Sequence, residues 1–185
     1  MINKSLYQFE SVRMAFTEIT WDDLGYIHQL HSMPEVDEFN TLGIPENIDI
    51  TREVLRPAID DQAHAERKLF FWSIRNKESA EFMGIAGLTL APERFRMGEI
   101  FYKLSPSFWH KGYGTETAKS LINFGIDILK LHRIHAGVST QNKRSIHVLE
   151  KSGMTREGLN RKILPVRGEW KDNYHYAILE NDPRE

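Results

Sequence analysis

The stretch from residue 101 to residue 130, FYKLSPSFWHKGYGTETAKSLINFGIDILK, restricts the possible folds more than any other part of the chain. An apolar run of Ile100, Phe101, Tyr102 and Leu104 ends at Pro106, Gly112 and Gly114 follow, and an amphipathic helical pattern starts at about Thr115. Ala118, Leu121, Ile122, Gly125, Ile126 and Leu129 form one apolar stripe of that pattern, while Glu116, Lys119, Asn123, Asp127 and Lys130 face away. The order predicts a strand, a glycine turn and a helix laid by one face on a sheet. Such a unit suits an anion. The first turn of a helix has N–H groups without intrahelical partners and the positive end of the helix dipole, and glycine lets a ligand approach the backbone closely. Lys111 adds a mobile positive charge, so we read the stretch as a pyrophosphate cradle.

Two familiar nucleotide loops do not fit. A dinucleotide fingerprint needs a third glycine where Thr117 stands, and a nucleoside-triphosphate loop needs Gly-Lys-Ser/Thr, whereas Lys111 precedes its glycine.

The remaining elements follow from periodicity. Residues 12–17, with Val12, Met14 and Phe16 on one face, predict a first strand. Thr20 precedes Trp21-Asp22-Asp23 as an N-cap with an acidic first turn, and Leu24, Ile27 and Leu30 repeat at helical spacing until Pro34. A helix is expected over about 47–67, interrupted at Pro57, which cannot continue the hydrogen-bond ladder, so the stretch is one interrupted helix or two. Residues 69–75 and 81–90 predict a hairpin, and 98–104 the third strand of a meander. Ile134, Ala136 and Val138 alternate in a strand over 133–139, so the strand-helix-strand order from 98 to 139 implies a parallel crossover. A short helix capped by Asn142 holds Ile146 and Leu149 and closes at Gly153, with Met154 making the C-cap contact. A hairpin of 159–164 and 169–179 around the turn 165–168 ends the chain.

At 185 residues the chain fits one domain, with its core at about 12–180; a domain near this size buries roughly 70% of its unfolded surface. A net charge of −2 makes no case for nucleic acid or an anionic membrane as partner. The absence of cysteine excludes disulfides, a thiolate zinc site and a cysteine nucleophile. The first sixteen residues contain no apolar segment of signal-peptide length and no window approaches a membrane span, so a cytoplasmic location is expected.

Trp109-His110-Lys111-Gly112-Tyr113-Gly114 resembles motif A of the GNAT superfamily of acyl-CoA N-acyltransferases, Arg/Gln-x-x-Gly-x-Gly/Ala between a central strand and a helix. Asn142-Lys143-Arg144-Ser145, followed by Val148-Leu149-Glu150-Lys151-Ser152-Gly153-Met154, resembles the family's motif B, in the expected order and across the expected strand. Gly158, Arg161, Gly168, Trp170, Asp172 and Tyr176 resemble the last hairpin of the ribosomal-protein N-terminal acetyltransferase branch. The resemblance implies a single-domain α/β (α+β) fold with a mixed, mostly antiparallel sheet, a splayed strand pair and flanking helices. It also implies transfer of an acetyl group from acetyl-CoA to a primary amine, such as a protein N-terminal α-amine, by direct attack in a ternary complex. No metal is implied, and family members occur as monomers and homodimers.

Site residues follow from the same likeness. The backbone of Tyr102, Leu104 and Ser105 would bond the pantetheine, and Trp109, His110, Lys111, Gly112, Tyr113, Gly114 and Thr115 would form the cofactor loop. His110 departs from the family's frequent glycine, and a positive φ there would be strained. Asn142 is a helix cap or a pantetheine ligand. Ser145 is a first-turn serine or the acid that protonates the leaving thiolate. Glu99 is a base acting through water or a solvated strand-edge carboxylate. The acidic run Glu35, Asp37 and Glu38 is a solvated loop or the recognition surface of a cationic acceptor such as a polyamine; with the hairpin around Trp170 and Asp172 it would flank the acceptor mouth. The histidine pairs His28/His31 and His132/His135 lack a third ligand at sensible spacing, and no Gly-x-Ser-x-Gly elbow is present. The rival to an enzyme is a CoA-binding sensor or scaffold of the same fold.

Overall fold

The computed structural model describes residues 7–184; residues 1–6, part of the N-terminal stretch read above for apolar content, lie outside them. Among the described residues eight strands form one sheet in the order β1-β2-β3-β4-β5-β6-β8-β7. The strands are β1 (Phe9–Glu10), β2 (Met14–Glu18), β3 (Leu69–Asn76), β4 (Phe82–Leu90), β5 (Met97–Leu104), β6 (Arg133–Ser139), β7 (Thr155–Val166) and β8 (Glu169–Leu179). Five helices accompany them: α1 (Leu24–His31), α2 (Pro34–Asp37), α3 (Ile48–Asp61), α4 (Tyr113–Asn123) and α5 (Lys143–Lys151). None of them is long and apolar enough to cross a membrane.

All neighbouring pairs are antiparallel except β5 and β6, which run parallel and pair only at Met97↔Arg133, Gly98↔Ile134 and Glu99↔His135. Beyond Glu99 the two strands part, while β5 stays paired to β4 as far as Leu104 and β6 to β8 as far as Ser139. The splayed pair is therefore a wedge held open by intact sheet on both sides.

Each face of the sheet buries its own apolar set. Met14, Phe16, Trp72, Ile74, Ile100, Leu104, Leu121, Ile134 and Ile178 belong to the core that α4 covers, while Ile19, Ile27, Leu30, Leu55 and Ile85 pack with α1 and α3 on the opposite face. Trp72 is fully buried and donates from its indole to the Tyr7 carbonyl at 2.5 Å.

Several boundaries differ from the sequence reading, each for a local reason. The first strand begins at Met14, not Val12, whose side chain is 87% exposed. Pairing nevertheless starts earlier than residue 12, in the short β1. Pro34 ends one helix by opening the next: it sits at the first position of α2, where its missing N–H has no partner to lose. Pro57 does not split α3, which runs unbroken through it and stops at Asp61. Pro57 is exposed, so the carbonyl that its missing N–H would have met can turn to water. The helix after the loop begins at Tyr113 and finishes in a wide π-turn over Phe124–Ile128, closed by Leu129 N to Phe124 O at 3.2 Å. The terminal hairpin starts already at Thr155 and turns on only Arg167 and Gly168, at φ 50° and 77°, as a two-residue primed turn requires. The meander, β6 and the Asn142 cap stand where the sequence placed them. At the other end of α5, Gly153 N bonds Glu150 O and Met154 N bonds Leu149 O at 3.2 Å each, a Schellman closure with Met154 buried.

Candidate active site

The loop between β5 and α4 is held from several directions. Trp109 donates from its indole to the Leu104 carbonyl at 2.8 Å, and Lys111 Nζ donates to the Ser107 carbonyl at 2.8 Å. Phe108 is buried and meets Tyr113 edge-on at 5.9 Å. Arg13 of β2's lead-in closes the loop from outside: its backbone N and Nε donate to Glu116 at 2.9 and 2.8 Å, Nη1 donates to the Lys111 carbonyl at 3.1 Å, and the guanidinium lies 3.9 Å over the Tyr113 ring. His110 and Gly112 both have positive φ, 59° and 82°. Gly112 is the N-cap of α4 and provides no side chain to cap it, unlike Asn47 at α3 and Asn142 at α5. The N–H groups of Tyr113, Gly114 and Thr115 thus begin a helix without a capping side chain, the arrangement an anion completes. Gly114 has a packing role too: a Cβ there would stand 3.1 Å from Val148 Cγ2, so its absence lets α4 and α5 approach.

The wedge between β5 and β6 opens into a cleft of about 410 Å³. Glu99, His135, Asn142 and Ser145 line it together, with the end of β6, Phe39 and residues of β7 and β8 such as Asn160, Ile163, Asn173 and His175 in the rest of the wall. The topology explains the meeting. Glu99 and His135 are paired residues at the last rung before the strands part, and Ser145 enters from the first turn of α5. Asn142 Oδ1 accepts from Ser145 N at 3.1 Å, so the cap reading of Asn142 holds while the residue also faces the cleft. Ser145 Oγ lies 2.9 Å from the Tyr102 hydroxyl. Burial pushes that phenol up to about 12, against the opposing effect of the Ser145 hydrogen bond.

His135 and His175 lie side by side with ring centroids 5.1 Å apart. Burial first, then the neighbouring His175 and Arg133, pull His135 down to about 4, so its ring is neutral near pH 7. His135 Nδ1 and Asn173 Oδ1 are buried without hydrogen-bond partners among the described residues. Farther along the same face of β5, burial pulls the Lys103 ammonium down to about 8 despite the charge of Asp37, and Nζ donates to Asn40 Oδ1 at 3.2 Å.

Two of the three acidic residues of the run are paired, while Glu35 is exposed and makes no ion pair among the described residues. Asp37 is 4% exposed and paired with Arg167 at 3.3 Å, and Glu38 is paired with Arg144 at 2.8 Å. Of the expected acceptor mouth, Phe39 reaches the cleft. Trp170 is 60% exposed beside Lys162 in a separate shallow depression, and Asp172 accepts from Lys162 N at 2.9 Å. Sequence reasoning missed Arg13, His175, Asn160 and Asn173, and weighed His135 only as half of a histidine pair with His132. Arg13 lies about a hundred positions from the loop it holds, and the others are ordinary strand residues until the sheet is assembled. Among the described residues no group of three or more His, Cys, Asp or Glu could hold a metal ion.

The family model for an acetyltransferase (GNAT) domain matches residues 13–155. The chain belongs to the GNAT acetyltransferase family. It is 28% identical to the uncharacterized N-acetyltransferase YoaA of Bacillus subtilis over 176 residues, 95% of this chain and 97% of that protein. A likeness to the uncharacterized N-acetyltransferase YnaD of the same organism is stronger, at 40% identity, but spans 84 residues, 45% of this chain and 49% of that protein. An acetyltransferase (GNAT family) structure from Bacillus anthracis superposes with a TM-score of 0.81 at 27% identity, covering 95% of this chain and 99% of that one. Two relatives whose names state an acceptor are more distant. Spermidine N(1)-acetyltransferase of Escherichia coli is 24% identical over 160 residues, 86% of this chain and 82% of that protein. The ribosomal protein uS5-alanine N-acetyltransferase of E. coli is 24% identical over 123 residues, 66% of this chain and 63% of that protein. This GNAT protein is an acetyl-CoA-dependent N-acetyltransferase.

Proposed function

We propose that the acceptor is a single α-amine at the N-terminus of a peptide or protein chain, acetylated by direct attack on acetyl-CoA bound in the β5–β6 wedge. One observation carries the reading: the last paired rung of the wedge places Glu99 and His135 in the same cleft as Ser145. The diphosphate of acetyl-CoA sits on the N–H groups of Tyr113, Gly114 and Thr115, with Gly112 allowing the approach. The pantetheine runs along the edge of β5 that β6 leaves beyond Glu99, where the backbone of Tyr102 and Leu104 bonds it and polarises the thioester carbonyl; Ser105, expected there from the sequence, is already engaged, its N–H on the Met83 carbonyl at 2.8 Å and its carbonyl on Phe108 N at 2.9 Å. Glu99, through water, takes the proton of the ammonium form, and Ser145 delivers one to the departing thiolate. An α-amine has a reference pKa of about 7.7–8.0, so it asks little of the base.

The acceptor class follows from charge and from an open strand. A polyamine carries several positive charges and calls for several free carboxylates, but Glu99 is the one carboxylate on the cleft wall, and Asp37 and Glu38 already pair with arginines. Residues 161–163 of β7 fall in a register break against β8 between Asn160 and Leu164, at the cleft's rim. Lys162 N is held by Asp172, which leaves the backbone groups of Arg161 and Ile163 to meet a peptide segment behind the amine. The test is release of free CoA thiol from acetyl-CoA with short peptides of free N-terminus, N-blocked peptides containing lysine, amino acids, spermidine and aminoglycosides. Turnover confined to free peptide N-termini supports the reading. Preference for spermidine overturns it, and CoA binding without turnover on any amine favours the sensor instead.

A further inference from the structure

We propose that the proton delivered to the thiolate originates on Tyr102, with Ser145 as its conduit. The inference rests on the acetyl-transfer reading of this cleft. Ser145 lines the cleft, and the half-buried Tyr102 joins it there through a hydrogen bond between the two hydroxyls. The 2.9 Å contact to Ser145 Oγ is the one hydrogen bond that the Tyr102 hydroxyl makes among the described residues. The ring shares its face of β5 with buried Ile100 and Leu104 and packs against the α4-side core, which fixes the direction in which its hydroxyl points.

Acidity argues for two groups. An unassisted aliphatic hydroxyl resembles water, whose pKa is about 15.7, and leaving an alkoxide next to a newly formed thiol is steeply uphill. A phenol near 10 in reference conditions is far closer to a thiol near 8.5, and Tyr102 remains closer even at about 12. In the step, the C–S bond of the tetrahedral adduct breaks and its electron pair goes to sulfur. The Ser145 proton forms the S–H bond while the Tyr102 proton forms a new O–H bond on Ser145. A phenolate remains, and solvent reprotonates it after CoA departs. The ammonium substrate loses one proton through Glu99 before attack and its second as the adduct becomes the amide; that second proton, passed to solvent, makes good the one that reprotonates the phenolate, so ammonium plus thioester becomes amide, thiol and one released proton.

The experiment compares two acyl donors. With acetyl-CoA, Tyr102→Phe is expected to lower kcat by roughly 10²-fold with KM for acetyl-CoA within about 3-fold of the parent, the scale of a lost general acid. With an S-aryl thioacetate, whose low-pKa thiolate departs without protonation, parent and variant are expected to differ by less than about 3-fold. Ser145→Ala should show the same donor dependence, and the double variant should be no worse than either single one. Equal losses with both donors would assign Tyr102 a structural role and overturn the relay. A defect in Ser145→Ala without one in Tyr102→Phe would also overturn it while leaving the serine as acid. Should Tyr102→Phe fail to fold, fluorotyrosine at position 102 keeps the shape and lowers the hydroxyl pKa, so the alkaline limb of the pH–kcat profile should move down. An unmoved limb sinks the proposal. The charged and titratable groups around the pair, Glu99, Lys103, His135, His175, Lys143 and Arg144, are unchanged by that substitution, so a shift reports on Tyr102 itself.

Discussion

Replacing Gly112 separates the backbone demands of the cradle from its electrostatics. Gly112 has φ 82°, and a Cβ there would meet only Arg13 Nη2, at 3.4 Å, so space is not the obstacle. The left-handed conformation costs an ordinary residue roughly 1–2 kcal/mol, and asparagine less because it tolerates that region. Gly112→Asn should therefore lower the melting temperature by a few degrees at most, on a scale of about 2–4 °C per kcal/mol for a chain of this size. Gly112→Asp has nearly the same shape and adds one negative charge beside the proposed diphosphate. A unit charge at about 5 Å from a phosphate charge is repelled by about 1 kcal/mol at the dielectric of water and about 3 kcal/mol at an effective value near 20. The aspartate variant should bind CoA roughly 5- to 150-fold more weakly than the asparagine variant. Calorimetric titration with CoA at low and high salt measures the gap, which should narrow as salt screens the repulsion. Equal affinities for the two variants, or a gap indifferent to salt, would place the diphosphate elsewhere.

Glu99→Gln should reduce kcat/KM by about 10²-fold near pH 7, and the deficit should shrink as pH passes the amine's own pKa near 8; a deficit constant with pH in a pH–rate profile would remove Glu99 as base. Gly114→Ala should lower the melting temperature, because its Cβ crowds Val148 Cγ2 at 3.1 Å, and Val148→Ala in the same chain should recover part of the loss; strict additivity would contradict the packing account. Acid should destabilise the fold through His31, which burial, then Lys103 and His28, hold at about 3 against an ordinary 6.5. The unfolded chain binds that proton more readily, so this stability is complete above pH 6.5 and drains as pH falls toward 3, by up to about 1.4 kcal/mol per pH unit. Denaturant titrations between pH 7 and 5 should show the slope in the parent and a flatter one in His31→Gln.

Local chemistry was readable wherever one residue has one plausible use. Thr20 with Asp23, Asn142, and Gly153 with Met154 mark helix ends through hydrogen bonds that span three to five positions, so sequence spacing carries them, and the structure has each. The two motifs on either side of β6 likewise announced the family before any coordinate was known. Proline misled because its effect depends on exposure and position: Pro57 on a solvent face leaves α3 whole, and Pro34 starts a helix as readily as it stops one.

By itself the sequence determined most of the order of strands and helices, the glycine loop leading into α4 and the candidates Glu99 and Ser145, because periodicity, capping and glycine placement act over a few residues; the short β1 and α2 were not legible in it. Only the tertiary structure decided which side chains share a space. Arg13 reaches the loop, Tyr102 bonds Ser145, His175 and Asn173 face the cleft, and Arg144 and Arg167 pair with Glu38 and Asp37 of the acidic run. The physical reason is the sheet. Its register sets which residues stand side by side across strands far apart in the chain, and the parting of β5 and β6 after Glu99 sets where those residues meet a ligand rather than one another.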